Sequence, residues 1–186
     1  MSKHPFTIVT GGALGVDLEA QKLARDSGYA VQVLIPPCHP RSKTVPPLTI
    51  TQLAEAIPIR NQVAARLKKQ TVQSPISLQC IHRNYHVVKN ADMVLAFTNF
   101  QSESNMCFGG TGWAVEMAKP LNEILYVFDL DKKIWFWYRQ DQELFYACDQ
   151  MPEEQFALPT FLPRTAIVGT RNIYDYPDAL LELNET

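Results

Sequence analysis

The sequence predicts a single α/β domain of Rossmann-like type: one mostly parallel sheet flanked by helices, with a helical and loop insertion around residues 36–80. Three observations carry this expectation. Short β-branched runs alternate with segments of helical spacing along the chain. Two of the runs are followed by glycine-rich turns that open helices. The length, 186 residues, is enough for one full-sized core and too short for two comfortable ones, so residues 1–186 are read as one domain.

Phe6 to Thr10 is apolar and β-branched and runs straight into Gly11-Gly12. Val16, Ala20, Leu23 and Ala24 then recur at helical spacing, and Gly28 stands where that helix ends. Ala30 to Ile35 is a second strand, stopped by Pro36-Pro37. Strand, glycine turn, helix, strand is a βαβ unit and implies parallel pairing. Pro36 to Pro47 reads as loop. Helices are expected over Thr51 to Ile57 and Ile59 to Lys69, with Pro58 breaking them. Gln70 to Gln79 reads as loop, Arg83 to Asn90 as a short helix and Met93 to Phe97 as a strand. After the polar connection Thr98 to Phe108, Gly109-Gly110-Thr111-Gly112 opens a helix through Met117. Ile124 to Phe128 and Thr165 to Gly169 are further strands, and Pro177 suits the first turn of a last helix toward Leu183.

Hydrophobic residues at 46% and charged residues at 19% exclude an intrinsically disordered chain. The 17 basic and 19 acidic residues leave a net charge of −2, and Lys68-Lys69 and Lys132-Lys133 are isolated pairs, so neither nucleic acid nor an anionic membrane is an expected partner. Cys38, Cys80, Cys107 and Cys148 lie far apart without CxxC spacing, which points to a reducing compartment and a cytoplasmic location. The apolar run Phe6 to Val9 reads as a strand rather than a signal peptide, and no stretch approaches membrane-spanning length.

The chemistry is expected at the glycine turns. In Thr10-Gly11-Gly12-Ala13-Leu14-Gly15-Val16-Asp17, backbone N–H groups and the positive end of a helix dipole converge at the exit of a strand, where glycines let a phosphate approach the main chain. The alternative is a tight turn and nothing more; the βαβ context favours phosphate binding. The dinucleotide spacing G-x-G-x-x-G is absent, the second strand ends in Leu34-Ile35-Pro36-Pro37 with no acid for a ribose, and no Gly-Lys-Ser/Thr marks a Walker loop. No cofactor is therefore expected. Gly109-Gly110-Thr111-Gly112-Trp113-Ala114-Val115-Glu116 repeats the arrangement after a later strand and puts Glu116 about one turn into its helix, facing the ligand cleft.

GGALGVD, then Arg83-Asn84 ahead of Ala91-Asp92-Met93-Val94-Leu95-Ala96-Phe97, then GGTGWAVE, resembles the SLOG superfamily of Rossmann-like proteins over roughly residues 6 to 130. That group includes the LONELY GUY phosphoribohydrolases and the DNA-processing protein A-like and YpsA-like branches; Gly-Gly-Thr-x-Trp and the strand Tyr126-Val127-Phe128-Asp129 are most similar to the last. The resemblance implies a nucleotide-type small-molecule ligand and a homodimer. It implies ligand-binding roles for Gly11, Gly12, Ala13, Gly15, Asp17, Asn84, Gly109, Gly110, Thr111 and Gly112. Arg83, Gly109, Gly110, Gly112 and Glu116 match the arginine and the PGGxGTxxE skeleton of the phosphoribohydrolases, which implies catalytic roles for Glu116 and Arg83. Phe108 stands in place of that motif's proline and Trp113 in place of its second threonine, and both the connection Thr98 to Phe108 and the segment Pro36 to Gln79 are foreign to those enzymes.

Two functions follow. One is capture of a phosphorylated nucleotide-derived molecule, such as an ADP-ribose-like or cyclic nucleotide signal. The other is N-glycosidic hydrolysis of a nucleoside 5′-monophosphate, with Glu116 beside the oxocarbenium-like ribose and Arg83 on the phosphate or base. The motif is only partly kept, which favours capture. Against both stands a structural Arg83–Glu116 pair tying two helices together. Asp17 suits ribose hydroxyls or, equally, the dipole of its helix. Cys80, His82 and His86 lack a fourth ligand and standard spacing, so no metal is expected. Ile134-Trp135-Phe136-Trp137-Tyr138 suits base stacking, a core or a dimer interface.

Overall fold

The computed structural model describes residues 6–67, 74–107, 109–122, 124–150 and 162–171. The chain begins with β1 (Thr7–Thr10), α1 (Val16–Asp26) and β2 (Ala30–Val33), continues through a 3-10 turn (Pro40–Lys43) to α2 (Ile50–Ala54), α3 (Ile57–Arg66) and α4 (Pro75–Val88), and reaches β3 (Met93–Thr98). A ribbon of β4 (Phe100–Gln101) and β5 (Met106–Cys107) precedes α5 (Gly109–Ala118). Then come β6 (Leu125–Asp129), β7 (Ile134–Arg139), β8 (Leu144–Ala147) and β9 (Arg164–Gly169).

Seven strands form one sheet in the order β2-β1-β9-β3-β6-β7-β8. The first five pair in parallel, and β7 and β8 add an antiparallel edge. This is the expected α/β class. Strand alternation divides the core between the two faces of the sheet. Met93, Leu95 and Phe97 pack with Val16, Ala20 and Ala24 of α1, while Val94 and Ala96 pack with Val87 of α4 and Trp113 and Ala114 of α5. β3 is buried at every position, as a central parallel strand must be when helices cover both faces.

Several elements differ from expectation. Pro58 does not separate two helices but sits in the first turn of α3, where its missing N–H has no intrahelical partner to lose. The start of α2 is set by a capping box, with the Thr49 hydroxyl accepting from the Gln52 N–H and the Gln52 side chain accepting from the Thr49 N–H. The segment read as loop to Gln79 contains the first turns of α4, which begins at Pro75. The polar connection after β3 contains the β4–β5 ribbon. The aromatic run is β7, with Trp135 packed on Phe97 and Phe128 on one face and Phe136 and Tyr138 on Phe100 and Phe145 on the other. Trp135, Phe136 and Tyr138 are thereby buried within one chain, while Ile134 and Trp137 stay part-exposed. The last helix expected toward Leu183 lies outside the described residues. Among the described residues no helix is long and apolar enough to cross a membrane.

Candidate functional site

β1 connects through α1 to β2 on one side of the sheet centre, and β3 connects through α5 to β6 on the other. Where connections diverge in this way, a crevice opens beyond the carboxyl ends of the strands. Here it is an open cleft of about 850 Å³. Ala13 and Asp17 line it from the first glycine turn, Gly109, Gly110 and Thr111 from the second, and Arg83 and Asn84 from α4. Gly169, Thr170 and Arg171, at and beyond the end of β9, complete the wall between the two turns. Sequence reasoning missed these three, because a strand inserted late between two earlier ones leaves no local signal of which turns its end will join.

The first turn is built around an internal ion pair. Arg83 Nη1 lies 3.3 Å from Asp17 Oδ2, with both side chains buried. The Asp17 carboxylate also accepts from the Ala13 N–H at 3.1 Å and from the Gly11 N–H. Burial raises the Asp17 pKa, opposed by the Arg83 charge and these backbone donors. Gly11 is glycine for a steric reason: a Cβ there would fall 0.7 Å from Arg83 Nη1, so the guanidinium occupies the space of a side chain. Two N–H groups expected to cradle phosphate thus already hold a carboxylate of the chain itself. Gly12 and Gly15 are not on the cleft wall. The Gly12 carbonyl lies 3.0 Å from His39 Nε2, and Gly15 caps α1 against the backbone of Thr170 and Arg171.

The second turn is arranged differently. Gly109 and Gly110 have no described atom within 4 Å of where a Cβ would stand, so neither is glycine for packing. They begin α5, whose residues from Thr111 to Ala118 are all buried, and its first-turn N–H groups lack partners within the helix. Asn84 fixes this end by donating from Nδ2 to the Gly110 carbonyl at 3.1 Å. Gly112 faces the interior, where a Cβ would meet the Cys107 carbonyl at 2.3 Å.

Glu116 does not face the cleft. Its carboxylate is buried with Lys119 Nζ at 2.6 Å and Arg66 Nε at 3.7 Å, and Arg66 also donates to the Glu116 carbonyl at 2.9 Å. Lys119 in turn lies over the rings of Tyr138 and Phe145, each 5.3 Å away. Glu116 does stand about one helical turn beyond the glycines, but α5, buried from Thr111 onward, turns this side chain toward α3 and the antiparallel edge. The partners of the two candidate catalytic residues are therefore exchanged: Arg83 holds Asp17, and Glu116 holds Lys119 and Arg66.

His82 and His86 face α2 and α3 rather than the cleft. His86 Nε2 donates to the Gln52 carbonyl at 2.6 Å, and His82 Nε2 is buried without a hydrogen-bond partner among the described residues. No group of three His, Cys, Asp or Glu side chains among the described residues stands close enough to hold a metal ion. Comparison with protein-family models, with curated proteins and with solved structures finds no match to this chain.

Proposed function

We propose that this chain is a SLOG-type Rossmann-like protein that captures a phosphorylated nucleotide-derived ligand in the cleft, with a phosphate on the N-terminus of α5. The observation that carries the reading is the contrast between the two turns. Gly110 opens onto free space at the cleft wall, whereas two N–H groups of the first turn, those of Gly11 and Ala13, are engaged by Asp17. Partial positive charge at a helix N-terminus and the absence of a Cβ favour an oxyanion there. Arg171 at the cleft wall adds a cation, and Asp17 and Arg83 offer an acceptor and a donor for the rest of the ligand. Capture is preferred to N-glycosidic hydrolysis because the acid that hydrolysis would use, Glu116, is committed to Lys119 and Arg66 away from the cleft.

The test is retention of a panel of nucleoside phosphates, followed together with release of free base by mass spectrometry. At least one member is retained intact by the wild-type protein. Gly110→Asp places a carboxylate where the phosphate sits, in space that costs the fold nothing, and weakens that affinity on the order of 100-fold, about 2.7 kcal/mol. Equal affinity in Gly110→Asp overturns the assignment, and accumulation of free base with wild-type protein restores the hydrolytic alternative.

A further inference from the structure

The segment that follows β2 returns to the first glycine turn through one imidazole. His39 is the N-cap of the 3-10 turn Pro40–Lys43, and its Nδ1 accepts from the Arg41 N–H at 3.1 Å. Its Nε2 lies 3.0 Å from the Gly12 carbonyl, a group that can only accept. The ring is therefore neutral, with its one proton on Nε2 donating to Gly12 and a bare Nδ1 receiving Arg41. N-caps are ordinarily Ser, Thr, Asp or Asn, whose acceptors persist across the neutral range. A histidine cap loses its acceptor when it takes up a proton. Two further bonds hold the same segment: Arg41 Nη1 donates to Gln21 Oε1 of α1 at 3.3 Å, and the Cys38 N–H donates to Gln79 Oε1 of α4 at 3.3 Å.

We propose that His39 is a pH-sensitive clasp: its neutral ring fastens residues 38–43 to the first glycine turn, and a proton on Nδ1 releases them. The protonated ring presents an N–H to the Arg41 N–H, so two donors face each other and the 3-10 turn loses its cap. The positive ring also stands among cations. Arg41 of its own turn, Arg83 of α4 and Arg171 beyond β9 are the charged groups that bear on it among the described residues, and of these Arg83 is paired with Asp17. The neighbouring Cys38 stays a neutral thiol in this range, because burial raises its pKa. Burial lowers the His39 pKa from the ordinary 6.5, the three cations add to the shift, and the Gly12 carbonyl opposes it. The clasp is accordingly closed above about pH 6.5 and opens as the pH falls below it. The inference stands independently of what the cleft holds.

The experiment follows the full chain by nitrogen-15 NMR and hydrogen exchange between about pH 8 and about pH 5. His39 ring signals are assigned by their loss in His39→Asn. At the upper end the ring is expected to carry its proton on Nε2 and none on Nδ1. As the pH falls, Nδ1 takes up a proton with a midpoint below 6.5, and the Arg41 amide resonance moves with that same midpoint. Exchange over residues 38–44, corrected for its intrinsic pH dependence, rises roughly fivefold, the scale of one lost cap. Asparagine caps without titrating, so in His39→Asn the corrected exchange stays flat and the Arg41 amide does not move. A ring protonated on Nδ1 at neutral pH, a midpoint at or above the ordinary value, or an Arg41 amide that does not follow the ring overturns the proposal. So does an equal pH response in His39→Asn.

Discussion

Arg83 and Asp17 are separated by 66 residues, yet one guanidinium organises the whole first turn. It fills the space of the side chain missing at Gly11 and neutralises a carboxylate that would otherwise be buried alone. Removing one member of such a pair is far more costly than removing both. Arg83→Leu is expected to lower stability by roughly 3–5 kcal/mol, and adding Asp17→Asn to recover more than half of that. Urea unfolding of the two variants beside the wild type measures it, and equal losses would show that the pair is not coupled. Both residues were legible as candidates, because each stands in or beside a motif. Their partnership was not: a motif fixes which residues matter locally, and a contact across 66 residues depends on how α4 is laid over the sheet. The same limit explains Glu116, whose height on α5 follows from sequence spacing while its direction follows from what surrounds the helix.

The helical insertion and α4 meet through histidines rather than through a purely apolar seam. His82 and His86 are buried, and desolvation holds the pKa of each below the ordinary 6.5. Arg60 and His86 add to the shift at His82. At His86, Lys89 lowers the value while Glu55 and the Gln52 carbonyl oppose the change. A histidine with a depressed native pKa binds its proton more readily in the unfolded chain. Stability is accordingly complete above about pH 6.5 and falls as the pH drops below it. His82→Leu should flatten this acid-side slope, measured as unfolding free energy between about pH 5 and pH 8. A slope unchanged by the substitution would place the effect elsewhere. At the scale of elements the sequence was most informative where apolar spacing is regular, as in β1, α1, β3 and α5. It was least informative at the β6–β7 and β7–β8 turns. Lys133 and Glu143 adopt positive φ there, at 57° and 55°, where glycine or asparagine would have signalled a turn. Asp129 supports the first of these turns by accepting from the Asp131 and Lys132 N–H groups, a bond pattern with no conspicuous composition.

For the molecule as a whole, the decisive feature is β9 at the centre of the sheet. It pairs with β1 on one side and β3 on the other, and Gly169 lets Val16 of α1 come within 2.2 Å of where its Cβ would be. Without it the sheet is two fragments, β2-β1 and β3-β6-β7-β8, each with an open parallel edge. A chain ending before Leu162 is expected to lose cooperative unfolding altogether, although most of the sheet's strands would remain. A single sharp urea transition in that truncated chain would count against the view. The α/β class was legible from alternating elements alone, but the strand order was not. The βαβ rule predicts that β1 and β2 pair and cannot say that a strand from far along the chain enters between β1 and β3.

That placement has a consequence for how the protein is made. Translation proceeds from the N-terminus at about 5–20 residues per second, and domains assemble as their parts emerge. Here the two halves of the sheet leave the ribosome first, and the strand that joins them comes last among the described elements. During that interval Val94, Ala96 and Leu95 of β3 and Ile8 and Val9 of β1 are presented on unpaired parallel edges, ready to pair with any neighbouring nascent chain. Chaperone demand during synthesis is therefore set by the position of one six-residue strand, and synonymous codons that slow elongation just before Arg164 would lengthen the hazard without altering a single atom of the finished protein.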